Sequence, residues 1–411
     1  MKFEFVDEKK RYDARIKVIG AGGAGGNAIN NMINSGLRGV DFIAANTDSQ
    51  DLDRSESSYK IQLGPSITMG LGAGADPELG EKSAEESVND IRECVAGSDM
   101  VFIAAGMGGG TGTGASPVIA REARESGALT VAVVTKPFNF EGEKRMKRAI
   151  AGIEKLKAEV DSLIVIPNER LKTLGSKTTT FKDLIMRADE VLLQAVKGIS
   201  DLIISNGFIS LDFADVKKVM EQMGTAIMGM GRARGENRGL EAAQMAINSP
   251  LLEDISISGA KGVLMNIAGP TDMTMDEIDA ASNFIKEEVS KDAEIIWGVV
   301  LDDAMEDEIQ ITVIATGINN NGNGFRRRNI YVEEYPNVVK LRDADPEDTE
   351  EDWTVKMNGV CLDTPTFQRK GEGLSAAMNT NRAKEGKKSF FSKFRIKEDL
   401  DYPTFLRAKA D

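Results

Sequence analysis

Between residues 15 and 166 the chain alternates short β-rich runs, IKVIG, DFIAAN, MVFIAAG, LTVAVVT and SLIVIP, with longer stretches of helical character. This alternation predicts a parallel sheet wrapped by helices. From 181 to 205 the apolar residues Leu184, Ile185, Ala188, Val191, Leu192, Ala195, Val196, Ile199, Leu202 and Ile203 recur at three- and four-residue steps, which predicts one long amphipathic helix between two domains. A second α/β unit follows, with helical patterns over 212–223 and 275–289 and strand-like runs over 262–267, 294–300 and 310–316. Beyond Gly317 the pattern stops. NNNGNGFRRRN and a tract rich in Asp, Glu, Asn and Lys cannot bury enough apolar surface to offset chain entropy, so 318–397 reads as a flexible linker. The last residues, EDLDYPTFLRAKAD, regain Tyr402, Phe405 and Leu406 around Pro403, a composition suited to folding onto a partner. The fold class is α/β, divided into an N-terminal extension (1–14), a parallel-sheet nucleotide domain (15–180), a central helix (181–205), a second α/β domain (206–317), the linker and a C-terminal peptide (398–411).

Composition narrows the chemistry. The 411 residues are 41% hydrophobic and 28% charged, enough for a large core, and a formal charge of -14 repels phosphate backbones and argues against general nucleic-acid binding. The start, MKFEFVDEKKRYDARIKV, has no apolar signal region and no apolar run is long enough to span a bilayer, so the expected location is the cytoplasm. Cys94 and Cys361 lie far apart in dissimilar contexts and indicate neither a disulfide framework nor a thiolate metal site. With no histidine, the Ser-His-Asp triad, histidine base chemistry and imidazole ligands are excluded. Carboxylates, backbone amides and Mg²⁺ remain.

Two glycine runs carry candidate chemistry. GAGGAGG at 20–26 follows one predicted strand and precedes a helix expected to open at Asn27; GGGTGTG at 108–114 follows another and precedes a helix expected over 116–126. Such loops let amides approach an anion at a helix N-terminus, and two of them imply a polyphosphate site. Neither contains the lysine of a Walker A loop, so charge neutralisation falls to amides, helix dipoles, Mg²⁺ and Arg145. A third segment, GLGAGA at 70–75, is placed to lend amides to a terminal phosphate. Alone, the first run fits a dinucleotide fingerprint equally well, with Asp48 slightly beyond the usual ribose-binding distance, which keeps a nicotinamide-dependent Rossmann oxidoreductase as an alternative. Asp212 and Asp215 open a predicted helix, where an N-cap and a first-turn acid are stabilising without further purpose. The basic, aromatic stretch 384–397 reads as solvated linker, with a composition that can also touch an anionic membrane surface.

GGGTGTG resembles the signature of the tubulin/FtsZ GTPase family, and the resemblance continues through NTD at 46–48, TKPFNFEG at 135–142, IPN at 166–168 and DFADV at 212–216. DYPTFLR at 401–407 is similar to the C-terminal peptide of the FtsZ branch, which docks on membrane-anchoring adaptors and is absent from tubulins. The resemblance implies GTP/GDP binding with Mg²⁺ carried on the nucleotide and no direct protein ligand to the metal. It implies phosphate contacts from Gly23, Ala24, Gly25, Gly26, Asn27, Gly110, Thr111 and Gly112, with Ala73 and Gly74 near the γ-phosphate. Glu141 and Arg145 would contact ribose and phosphate, and Asn168 and Asp189 would read the guanine edge. A carboxylate facing the N1 and N2 donors suits guanine, because adenine offers no such pair. Asp212 and Asp215 would enter the nucleotide site of the next subunit and orient water, tying hydrolysis to head-to-tail assembly of filaments in a mid-cell division ring. Tyr402, Pro403, Phe405, Leu406 and Arg407 would bind the division adaptors, so that membrane contact is indirect. Three positions depart from the family pattern: Ser210 stands for Asn, Ile185 for a Phe over the guanine face, and Asp76 for Asn. Ser210 keeps open a second alternative, a scaffold that binds GTP without turning it over.

Overall fold

The computed structural model describes residues 14–172, 179–204, 211–221, 224–252 and 257–318, together with Lys356–Met357 and Val360–Cys361. The N-terminal 13 residues, Ser210, most of the expected linker and the C-terminal peptide with Tyr402, Pro403, Phe405, Leu406 and Arg407 lie outside the described residues.

The first half runs β1 (Ile16–Ala21), α1 (Gly22–Asn34), β2 (Val40–Asn46), α2 (Ser49–Arg54), β3 (Tyr59–Gln62), α3 (Pro65–Thr68), α4 (Pro77–Glu86), α5 (Val88–Val95), β4 (Met100–Gly106), α6 (Thr111–Glu125), β5 (Leu129–Lys136), α7 (Glu143–Glu159), β6 (Ser162–Pro167) and α8 (Asn168–Leu171). The long helix is α9 (Phe181–Ile204). After it come α10 (Phe213–Met220), β7 (Gly224–Arg234), α11 (Arg238–Ile247), β8 (Gly262–Gly269), α12 (Met275–Glu288), β9 (Glu294–Leu301) and β10 (Glu308–Thr316). The strands form one ten-stranded sheet in the order β3-β2-β1-β4-β5-β6-β7-β10-β8-β9. All pairs from β3 to β7 are parallel, β10 is antiparallel to both its neighbours, and β8 pairs parallel with β9. A short antiparallel ladder, Lys356–Met357 with Val360–Cys361, belongs to a separate unit, 326–411.

Helices on both faces explain why the central strands read as unbroken apolar runs. On β4, Met100, Phe102 and Ala104 face one core with α1 and α9, while Val101, Ile103 and Ala105 face the other with α5, α6 and α7. Each fully buried large side chain there contributes about 2 kcal/mol of transfer free energy. The order 3-2-1-4-5-6 places the topological switch point between β1 and β4, where open parallel sheets bind ligands beyond the carboxyl ends of their strands.

Helix α9 crosses from this half to the second along a polar seam. Gln310 Nε2 donates to Gln194 Oε1 at 2.9 Å and Asn266 Nδ2 donates to the Gly198 carbonyl at 3.2 Å. The two glycine-led helices begin earlier than the sequence suggests, at Gly22 rather than Asn27 and at Thr111 rather than Ser116. Glycine is a poor helix former, so propensity places each start after the run, whereas packing against the strand ends recruits the glycines into the first turns.

Candidate functional site

Helices α1 and α6 leave β1 and β4 side by side, and neither is capped by a side chain: their N-cap residues are Ala21 and Gly110. Side chains cap some other helices, Asp48 on α2, Asp76 on α4 and Thr274 on α12, while α5, α7, α8, α10 and α11 also lack a side-chain cap. The first-turn amides of α1 and α6 therefore have no intrahelical acceptor and no capping oxygen, and both helix dipoles point at one spot. Close approach depends on missing side chains. Gly22 has φ +71°, and a Cβ there would lie 2.8 Å from the Gly112 amide nitrogen. The Thr47 and Thr111 hydroxyls, 2.6 Å apart, tie the end of β2 to the start of α6, and Thr113 Oγ1 accepts from the Gly108 amide at 2.8 Å.

The 69–76 loop closes the third side. Met69, Gly70, Gly72, Gly74 and Ala75 all have positive φ. The loop is anchored where the Gly72 amide donates to the Thr47 carbonyl at 3.2 Å and the Ser49 amide to the Gly70 carbonyl at 3.0 Å. It presses on the second glycine run so closely that a Cβ on Gly110 would lie 2.8 Å from Ala73 Cβ and 2.9 Å from the Asp76 nitrogen. Among the described residues, the successive amides of Ala73, Gly74 and Ala75 have no protein acceptor. Successive unpaired amides in a turn of this kind form an anion-binding concavity. Asp76 accepts from the Glu78 amide at 3.0 Å, so its extra charge is committed to capping α4.

Beside the phosphate end stand the groups expected to meet the nucleoside. Glu141 Oε1 accepts from the Phe138 amide at 2.8 Å, and its other oxygen pairs with Arg145 Nη1 at 3.0 Å. Arg145 in turn packs on the second run, with its Cγ 2.8 Å from where a Gly108 Cβ would be. Asn168, directly after β6, is buried and its Oδ1 has no hydrogen-bond partner, an acceptor waiting for a donor. Asp189 of α9 faces a cavity of about 420 Å³, lined also by Asn31 and Asn34 of α1. Burial pushes its carboxyl up to about 6. Ile185 is half-buried one turn earlier on the same helix. Gly23, Gly26 and Asn27 line a smaller cavity of about 80 Å³ with Asn46 and Asp51. A larger cavity of about 630 Å³, beside edge strand β3 and α5 with Lys17 and Cys94, contains none of these residues.

Asp212 and Asp215 are not part of this cluster. Both are exposed at the start of α10, which packs on β8 and β9. Strand β8 lies six positions from β1 in the sheet, roughly 29 Å at ordinary strand spacing. Asp212 occupies the N-cap position but accepts no capping hydrogen bond, so capping does not account for its carboxylate. The chain's sequence pattern pointed to neither Thr47's bond to Thr111 nor the guanidinium of Arg148, which donates to the Ala75 carbonyl from the middle of α7. Only NTD at 46–48 hinted at the first; an arginine within an amphipathic helix carries no signal of its own.

A doubly wound sheet with two uncapped helices and an amide-rich loop converging at its switch point defines a nucleotide-phosphate-binding protein. Residues 15–176 match the GTPase domain of the Tubulin/FtsZ family and 224–319 the FtsZ family C-terminal domain. The chain belongs to the tubulin/FtsZ family, and to its branch of tubulin-like cell-division GTPases. It is 53% identical over 307 residues to "Cell division protein FtsZ 2" of Rhizobium meliloti (strain 1021), covering 75% of this chain and 89% of that protein. It is 56% identical over 305 residues to "Cell division protein FtsZ" of Bartonella bacilliformis, where the match spans 74% of this chain but about half, 52%, of that longer protein. Among solved structures, "FtsZ dimer, empty (M. jannaschii)" superimposes with a TM-score of 0.73 at 44% identity, covering 75% of this chain and 90% of that one. CetZ1 from Haloferax volcanii, at 22% identity and a TM-score of 0.64, shares the fold. Neither the oxidoreductase reading nor the non-hydrolysing scaffold finds support in these matches.

Proposed function

We propose that this chain binds GTP with Mg²⁺ and assembles head to tail, so that Asp212 and Asp215 of one subunit complete the nucleotide site of the next and hydrolysis depends on assembly. The observation that carries this reading is the separation within one subunit: uncapped helix starts and unpaired amides at α1, α6 and the 69–76 loop, and two exposed acids on α10, which packs on β8, six strand positions or roughly 29 Å from β1 at ordinary spacing. Joining copies end to end would bring the two together, and the M. jannaschii relative is described as a dimer.

Within the site, the amides of the uncapped helices and of residues 73–75 would hold phosphate oxygens, with Mg²⁺ neutralising charge that no lysine in the two glycine runs offsets. Glu141 and Arg145 would contact ribose and phosphate. Asn168 and Asp189 would receive the guanine donors; the unpartnered Oδ1 of Asn168 and the half-buried carboxyl of Asp189 fit that assignment. The filament would serve the mid-cell division ring, reached by membrane adaptors that bind residues 401–407. Sedimentation of the full chain with GTP, GDP, ATP or no nucleotide tests the reading. Pelleting with GTP alone is expected, and equal pelleting with ATP would remove the guanine assignment.

A further inference from the structure

We infer that Arg148 is a positioning residue for the terminal phosphate: its bond to the Ala75 carbonyl holds the 73–75 amides in their receiving conformation. The inference rests on the GTP reading above and adds to it a cause of discrimination between triphosphate and diphosphate.

Ala75 is one of three non-glycine residues with positive φ among the described residues, at +63°. Alanine leaves that region for extended backbone unless its surroundings hold it there. Packing alone supplies little restraint, because Gly74, Ala75 and Asp76 are all exposed. The Asp76 amide, which shares one peptide plane with the Ala75 carbonyl, donates to the Ala73 carbonyl at 2.9 Å and so tethers one side of that plane. Arg148 tethers the opposite side: the guanidinium reaches from α7 to that carbonyl, while its Nε donates to the Lys144 carbonyl within its own helix at 3.3 Å. Among the described residues no carboxylate lies within ion-pair distance of Arg148, so its charge is not spent in a salt bridge and adds positive potential beside the unpaired amides. The same helix carries Arg145 one turn earlier, against Gly108. One rigid element therefore sets the second glycine run and the third loop relative to each other.

Residues 73–75 are assigned to the terminal phosphate, so loosening them should cost GTP more than GDP. The test measures affinities of the full chain for GDP and for a non-hydrolysable GTP analogue, below the assembly threshold. Arg148→Ala should lose about tenfold in affinity for the triphosphate, the scale of one hydrogen bond from a charged donor, and less than about twofold for the diphosphate. Arg148→Lys, which keeps a cationic donor, should recover part of the loss. Adding Ala75→Gly to Arg148→Ala should also recover part, because glycine adopts positive φ without support. Equal losses for both nucleotides, or no recovery with glycine, would overturn the positioning role. Wild-type protein that bound neither guanine nucleotide would overturn the parent reading as well, whereas wild-type binding with unaltered discrimination in Arg148→Ala would remove this inference alone.

Discussion

On the proposed guanine contact, Asp189 would make recognition depend on pH. Burial raises its carboxyl to about 6 in the free protein, because the charged form loses solvation. On the proposed guanine contact the N1 and N2 donors would favour the ionised form, so bound nucleotide would lower that value. Affinity should then be full above the free-protein value and fall as pH drops through about 6, by at most about tenfold per pH unit. Titrating GTP affinity between about pH 5 and pH 8 checks this, and Asp189→Asn should bind more weakly with a flattened profile. Asp201, also raised to about 6 by burial, lies about three turns further along α9, so a profile unchanged in Asp189→Asn would move the effect there. Crowding gives a second residue-scale prediction: any side chain on Gly110 meets Ala73 and the Asp76 nitrogen below 3.0 Å, so Gly110→Ser should weaken GTP binding at least about tenfold, the equivalent of modest overpacking. Nucleotide retained as in the wild type would take this loop out of the site. Much of this cluster was legible in the residues because glycine runs announce backbone chemistry. Arg148 and Thr47 were not, since their roles exist only once distant segments meet.

Secondary elements were legible where burial is one- or two-sided and regular. β1, β2, β4, β5, β6 and the 24-residue α9 follow from apolar runs and helical spacing. β7 did not, because GTAIMGMGRAR offers glycines and methionines where strand propensity expects β-branched residues, and its pairing with β6 and β10 holds it extended. Edge strand β3 has only four residues, too few for a period to show. Helix α11 is fixed by a contact no periodicity reveals. Its first residue, Arg238, is buried and donates to Glu277 at 2.8 Å, Asp307 at 2.8 Å and Asp272 at 2.9 Å. Glu277 also receives the Thr274 amide at 2.8 Å in the capping box of α12, so one guanidinium joins α11, the start of α12 and the turn before β10. Arg238→Met would leave those carboxylates facing one another, with Glu277 largely buried. Chemical denaturation should show a loss of about 3 kcal/mol. A loss below about 0.5 kcal/mol, the level of an exposed pair, would show that solvent serves the carboxylates equally well.

At the scale of the whole molecule, the proposed binding cluster and the acids occupy separate parts of one sheet, and on that proposal turnover should need two subunits. Specific activity should fall steeply on dilution through the assembly threshold. Asp215→Asn keeps the side chain's shape but removes the charge that orients and polarises water, so the variant should bind GTP, assemble, and hydrolyse at least about a hundredfold more slowly. Its filaments should outlast those of the wild type. Thr111→Ala makes the complementary lesion: it removes the hydroxyl bonded to Thr47 at the mouth of α6 and should weaken nucleotide binding while leaving the acids intact. Mixing the two variants is the decisive arrangement. Where a Thr111→Ala subunit presents its acids to the occupied pocket of an Asp215→Asn neighbour, a competent site is rebuilt, and phosphate release should exceed the sum of the separate activities. A site contained in one chain gives no such gain, because neither variant has both halves. Activity constant on dilution, or mixtures no faster than their parts, would return Asp212 and Asp215 to the status of acids that merely open α10.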